Sequence, residues 1–232
     1  MEFEGLDIVD DVKLGMVMSG ADRASVLERA RKIEASGLDS LWVGDHVAFH
    51  IPVVEALSLL SFVAAATERV ELATGVLLLP LRHPTWTAKI TGTLDMLSGG
   101  RLILGVGVGG EYPPEFAAVG VDVAERGPRT DEAIEIIRLL WQGGYRSYRG
   151  RHFTLEDARL FDLPERPIPL AVAVSGTRSL ALACAHGDEL VATEPKRELV
   201  DGFRAVRGGA AVATSQLAVC WAADERSGQE TA

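Results

Sequence analysis

The feature that most constrains this chain is a series of short segments that are apolar on nearly every residue. They are separated by amphipathic stretches rather than by hairpin turns. They are Lys13 to Met18 (KLGMVM), Ser40 to Val43 (SLWV), Val70 to Leu79 (VELATGVLLL), Arg101 to Gly107 (RLILGVG), Ile168 to Val174 (IPLAVAV), Glu189 to Thr193 (ELVAT) and Ser215 to Ala223 (SQLAVCWAA). A strand with one wet face alternates apolar and polar residues, whereas a strand buried on both faces does not. Repeated βα units of this kind leave two architectures, a (β/α) barrel and a doubly wound open sheet. About seven strands are present where a closed barrel has eight.

The intervening stretches carry helical spacing. A helix from about Asp22 aligns Val26, Ala30 and Ile33 and stops at Gly37. Another runs through VVEALSLLSFVAAAT. A third opens at His83–Pro84, with Trp86, Ile90, Leu94 and Leu97 on one stripe and Gly99–Gly100 as its stop. Further helices are expected from about Thr130, with Ile134, Ile137 and Trp141 inward, over Thr177 to Gly187, and from Pro195. Residues 143–166 read as an excursion, a small solvated hairpin. No linker or low-complexity segment interrupts the pattern, so residues 1–232 read as a single domain.

Composition narrows the function classes. A hydrophobic fraction of 47% and 24 glycines in 232 residues suit a packed enzyme. A net charge of −10 argues against a nucleic-acid binder, because no basic surface is available to release counterions. It leaves room for an anionic small ligand, since local backbone donors hold phosphates. Cys184 and Cys220 cannot form a zinc cluster alone and read as buried thiols, and no metal spacing is present. The acidic start MEFEGLDIVDD is not a signal peptide, and no apolar run is long enough to span a membrane. A cytoplasmic enzyme is expected.

Both architectures place their sites at the carboxyl ends of strands. Asp45 and His46 follow the second strand, and Gly75–Val76 interrupts the third. GVGVGGE (Gly105 to Glu111) follows the fourth strand, Ser175–Gly176–Thr177 the fifth, and Thr193 the sixth. Polar or backbone-exposing groups after five successive strands point to one ligand site. Gly105, Gly107 and Gly110 also fit a dinucleotide fingerprint, but Pro113–Pro114 disfavours the immediate helix that pattern needs. His50 is a candidate for the mouth of a pocket, and His83, His152 and His186 read as structural.

GLDSLWVGDH, ATGVLLLPLRHPTWTAKITGTLDMLSGGRLILGVGVGG and EFAAVGVDVAERGPRTDEAIEIIRLLW together resemble the bacterial luciferase-like flavin monooxygenase superfamily. The likeness is closest to its branch that uses the deazaflavin coenzyme F-420. The resemblance implies a TIM-type barrel, here apparently shortened, that is usually dimeric. It also implies hydride transfer between the deazaflavin and a small organic substrate. The alternatives are an FMN-dependent monooxygenase and a shortened flavin-binding protein without turnover. Carried over by motif, Asp45 would contact the deazaflavin and His46 would act as acid or base. Gly75–Val76 would be a bulged cis peptide behind the ring, and Gly107 and Gly109 would pass close to the cofactor. Ser175, Gly176 and Thr177 would hold its phosphate. Glu111 would stand in for the branch's acid, one residue late. His50, Thr193 and Lys196 would face the substrate.

Overall fold

The computed structural model describes residues 12–20, 22–194 and 196–216. The elements in chain order are β1 (Gly15–Val17), α1 (Arg23–Ala35), β2 (Ser40–Val43), α2 (Ala56–Ala64), β3 (Glu71–Thr74), β4 (Leu77–Leu78), a 3-10 turn over Leu79–Leu81, α3 (Pro84–Ser98) and β5 (Leu102–Gly107). There follow α4 (Pro113–Ala118), a 3-10 turn over Val123–Glu125, α5 (Arg126–Trp141), β6 (Arg146–Arg149), β7 (Thr154–Ala158), β8 (Leu170–Ala173), α6 (Thr177–His186), β9 (Glu189–Ala192), α7 (Arg197–Arg207) and β10 (Ala213–Ser215).

The main sheet is parallel at every pairing and runs in chain order, β1-β2-β3-β5-β8-β9-β10, with the short β4 also on β5. That order excludes the doubly wound alternative, whose strand order reverses at a switch point. The sheet curls into a half-barrel. Its outer face meets the helices through a core that includes Leu41, Val43, Leu72, Leu102, Leu104 and Val172. Its inner face carries a separate layer of Trp42, Ala73, Ile103, Ala171 and Val191, one residue from each of five strands. Alternation along each strand divides the two sets, which is why nearly every strand residue is apolar. Trp42 lies across the inner surface of β1, where a Cβ on Gly15 would stand 2.9 Å from the indole nitrogen.

The helix starts follow from side chains. Asp22 caps α1, accepting from the amides of Ala24 at 2.8 Å and Ser25 at 3.1 Å. Glu55 does the same for α2, with Ser58 N at 2.7 Å. Pro84 opens α3, and the His83 ring nitrogen accepts from Thr85 N at 3.3 Å.

Four readings of the sequence change. In α3 the face turned inward is Thr87, Ala88, Thr91, Leu94, Asp95 and Ser98, so of the expected stripe only Leu94 is buried. Trp86, Ile90 and Leu97 are exposed, because small residues let the helix pack closely and send its large apolar side chains outward. A short helix does follow the glycine loop at Pro113, since proline is tolerated in a first turn. The helix expected from Thr130 begins four residues earlier, at Arg126. The last strand among the described residues lies at Ala213–Ser215, while residues 217–223 of the expected segment, and Pro195, fall outside the described residues. The excursion is a β6–β7 antiparallel hairpin. Glu132 on α5 fastens it by accepting from the amides of Arg151, His152 and Phe153.

Candidate active site

A parallel sheet sends all its strand ends to one rim, and the residues singled out in the sequence follow those ends. Asp45 and His46 leave β2 in different directions, as adjacent residues of an extended chain must. Asp45 is 3% exposed, with one oxygen 3.0 Å from Leu78 N and the other 2.7 Å from the Arg82 guanidinium. Each oxygen thus holds one partner, and Asp45 clamps the segment after β3 to the end of β2. Arg82 also reaches Glu55 at 3.1 Å, which joins β2, the 3-10 turn and the start of α2.

His46 turns to Glu115 on α4. Its Nδ1 lies 3.3 and 3.2 Å from the two carboxylate oxygens, and one of those oxygens also accepts from Val47 N at 3.2 Å. The Phe49 ring stacks on the imidazole with centroids 3.6 Å apart and planes within 10°. His50 and Tyr112 extend this aromatic group, with centroids 5.5 Å apart, and His50 is exposed. Sequence alone does not point to Glu115, because Pro113–Pro114 disfavour the immediate helix that carries it. The acid chosen instead, Glu111, is exposed and makes no hydrogen bond among the described residues. The signal available was a buried-register glutamate in the first turn after two prolines, four residues beyond Glu111.

Between β3 and β4 the Gly75–Val76 peptide is cis, so the third strand of the sequence is two short strands around a bulge. Gly75 N donates to Val43 O at 2.7 Å. The Thr74 hydroxyl donates to Gly105 O at 2.6 Å. The glycines of β5 serve this bulge. A Cβ on Gly105 would overlap the Thr74 carbonyl, and one on Gly107 would press on Val76. Gly109 has a positive φ of 58° and packs against Leu78 and Phe116. These glycines let neighbouring segments of the protein approach closely.

After β8, the amides of Ser175 and Gly176 donate to the Ser179 hydroxyl at 3.0 and 3.2 Å. Those two donors are occupied, which shifts any anion site to the amides that follow. The first turn of α6 from Thr177 has no capping side chain, and a Cβ on Gly176 would meet nothing within 4 Å. This open helix start can take an anionic group. Thr193 and Lys196 are exposed after β9, with Lys196 paired to Glu194 at 3.3 Å. Of the remaining histidines, His83 caps α3 and His186 lies 2.6 Å from Asp131. No helix among the described residues is long and apolar enough to cross a membrane.

Comparison with known proteins adds to this geometry. The chain is 37% identical over 197 residues to an F-420-dependent glucose-6-phosphate dehydrogenase of Kineococcus radiotolerans, covering 80% of this chain and 57% of that protein. It is 41% identical over 177 residues to the enzyme of the same name from Beutenbergia cavernae, covering 72% and 52%. The chain thus spans about half the length of the curated relatives it matches. An F-420-dependent secondary alcohol dehydrogenase, solved with an F-420–acetone adduct, superposes with a TM-score of 0.77 at 25% identity, covering 88% of this chain and 68% of that one. Residues 9–224 match the luciferase-like monooxygenase family, and the chain belongs to it.

Proposed function

We propose that this chain is a coenzyme F-420-dependent oxidoreductase, which moves a hydride between the deazaflavin and a small organic substrate. The observation that carries the reading is His46. Its half-buried imidazole is held at the strand-end rim by a buried carboxylate, on the same rim as the cis Gly75–Val76 bulge and the open start of α6. The residues fit such a cofactor. The first-turn amides of α6 from Thr177 suit its phosphate, and Gly176 leaves space for it. Val76 and the bulge supply a wall behind a planar ring. When bound, coenzyme F-420 supplies a two-electron hydride acceptor or donor.

The protein's own part is orientation and proton handling. Asp45, through Leu78 N, fixes the strand that carries the bulge. His46 takes or gives the substrate proton, a task suited to an imidazole at neutral pH. Phe49, His50 and Tyr112 line the approach, and Thr193 and Lys196 lie farther along the rim. We read the enzyme as cytoplasmic and as a homodimer. The exposed Trp86, Ile90 and Leu97 on α3 support the dimer, since monomers rarely present such a stripe to water.

The test is a fluorescence titration of the cofactor-free protein with coenzyme F-420 and with FMN, followed by a hydride-transfer assay. The assay monitors loss of deazaflavin absorbance with sugar phosphates and secondary alcohols. Tight F-420 binding and turnover are expected. Preference for FMN with oxygen consumption would point to a monooxygenase, and binding without turnover to a non-catalytic flavin protein.

A further inference from the structure

We infer that Glu115 is a positioning residue that holds the ring proton of His46 on Nδ1 and leaves Nε2 as the acceptor offered to substrate. The inference rests on the acid–base role proposed for His46. The Glu115 side chain is 1% exposed, and its oxygens face Nδ1 at 3.2 and 3.3 Å. An ionised carboxylate only accepts hydrogen bonds, so the nitrogen facing it must donate. A neutral imidazole has one N–H, so the second nitrogen is left as an acceptor. The hydrogen bond fixes the rotation of the ring, and the Phe49 face at 3.6 Å fixes its plane. The Val47 amide at 3.2 Å ties the same carboxylate to the loop that carries the histidine, 68 positions away in sequence.

Two consecutive prolines make this possible. They start α4 straight after the glycine loop and set Glu115 in its first turn, within reach of the β2 loop. In alcohol oxidation the substrate O–H bond breaks and its proton passes to Nε2. With coenzyme F-420 bound as the two-electron acceptor, the C–H bond would break with its electron pair leaving as hydride. The substrate would thereby lose two electrons and the bound cofactor would gain them. The ring then carries two protons, and the buried carboxylate beside it offsets the new charge, as in other carboxylate–imidazole pairs.

Two readouts test this. Long-range proton–nitrogen correlation spectra of the cofactor-free chain at about pH 9, above the usual imidazole range, report which His46 nitrogen carries hydrogen. An Nδ1–H ring is expected in the parent, and a shift toward Nε2–H in E115A. In turnover, E115A and E115Q should lower kcat by about 10²-fold or more, with F-420 affinity within about threefold of the parent. H46A/E115A should lose no more than H46A alone. A parent ring protonated on Nε2, or E115A and E115Q with the parent's tautomer and kcat, would overturn the inference. Because the spectrum needs no cofactor, failure of every hydride-transfer assay would sink the proposed function while the tautomer still decides the role of Glu115.

Discussion

Arg82 donates to Asp45 at 2.7 Å across a pair in which the carboxylate side chain is fully enclosed. The same guanidinium group reaches Glu55 at 3.1 Å, so a single side chain joins the end of β2 to the cap of α2. Removing one partner of a buried pair costs about 3–5 kcal/mol, because the charge left behind is uncompensated. R82A is therefore expected to destabilise the fold by that order, and D45N/R82A by less than the sum of the single changes. Urea unfolding of the four proteins checks this, and additive costs would show that the pair is not coupled.

His46 should separate chemistry from binding. H46A is expected to lose about 10²–10⁴-fold in turnover, the usual cost of a general acid or base. Deazaflavin affinity should stay near that of the parent. Measuring kcat and Kd on the same preparation checks the split, and normal turnover would make His46 a structural residue.

Gly105 should tolerate no side chain. Its Cβ would occupy the position of the Thr74 carbonyl, which is backbone and cannot rotate aside. G105A is expected to cost about 1–3 kcal/mol, the range for overpacking a core. Thermal melts check this, and a parent-like Tm would show that β3 and β5 can separate there.

At the amino-terminal end of the half-barrel, burial and then the nearby Glu71 raise the pKa of Glu189, with Lys13 opposing. A carboxyl group raised on folding binds a proton in the native state that the unfolded chain has lost. Stability therefore falls as pH rises from the unfolded value of about 4.3 through the folded one. Below that window the group contributes nothing. E189Q is expected to raise Tm at pH 7 and to match the parent near pH 3.5, as melts at the two pH values would show.

The α3 stripe predicts an assembly. W86E/L97E places charge on two exposed apolar positions of α3. Sedimentation should show a dimer for the parent and a monomer for the variant. A parent that sediments as a monomer would remove the dimer from the proposed function.

Much of the fold was legible because burial on both faces leaves a pattern that a single sequence displays. Leu41 and Val43 point outward and Trp42 inward, yet all are apolar, and that repetition over the strands marks a parallel sheet. The strand-end residues were legible for the same reason, since the architecture fixes which end carries chemistry. What was not legible depended on three-dimensional partners. Nothing near Asp45 in sequence reveals Leu78 N and Arg82, so its carboxylate read as a free acceptor. Glu115 was hidden because its role is set by a residue 69 positions earlier. Helical spacing cannot say which apolar side faces inward, so α3 was read with its outer stripe turned to the core.

The chain-order sheet has a consequence for synthesis. Each strand of the path pairs with the one before it along the chain, and only the short β4 and the β6–β7 hairpin interrupt the series. Every strand of the path after β1 therefore emerges from the ribosome to find one neighbour already made. Growth can proceed unit by unit from β1, as expected of domains that assemble while they are being made. A ladder of nascent chains ending after β5, β8 and β9 should gain protease resistance step by step, starting at the Asp45–Arg82 clamp.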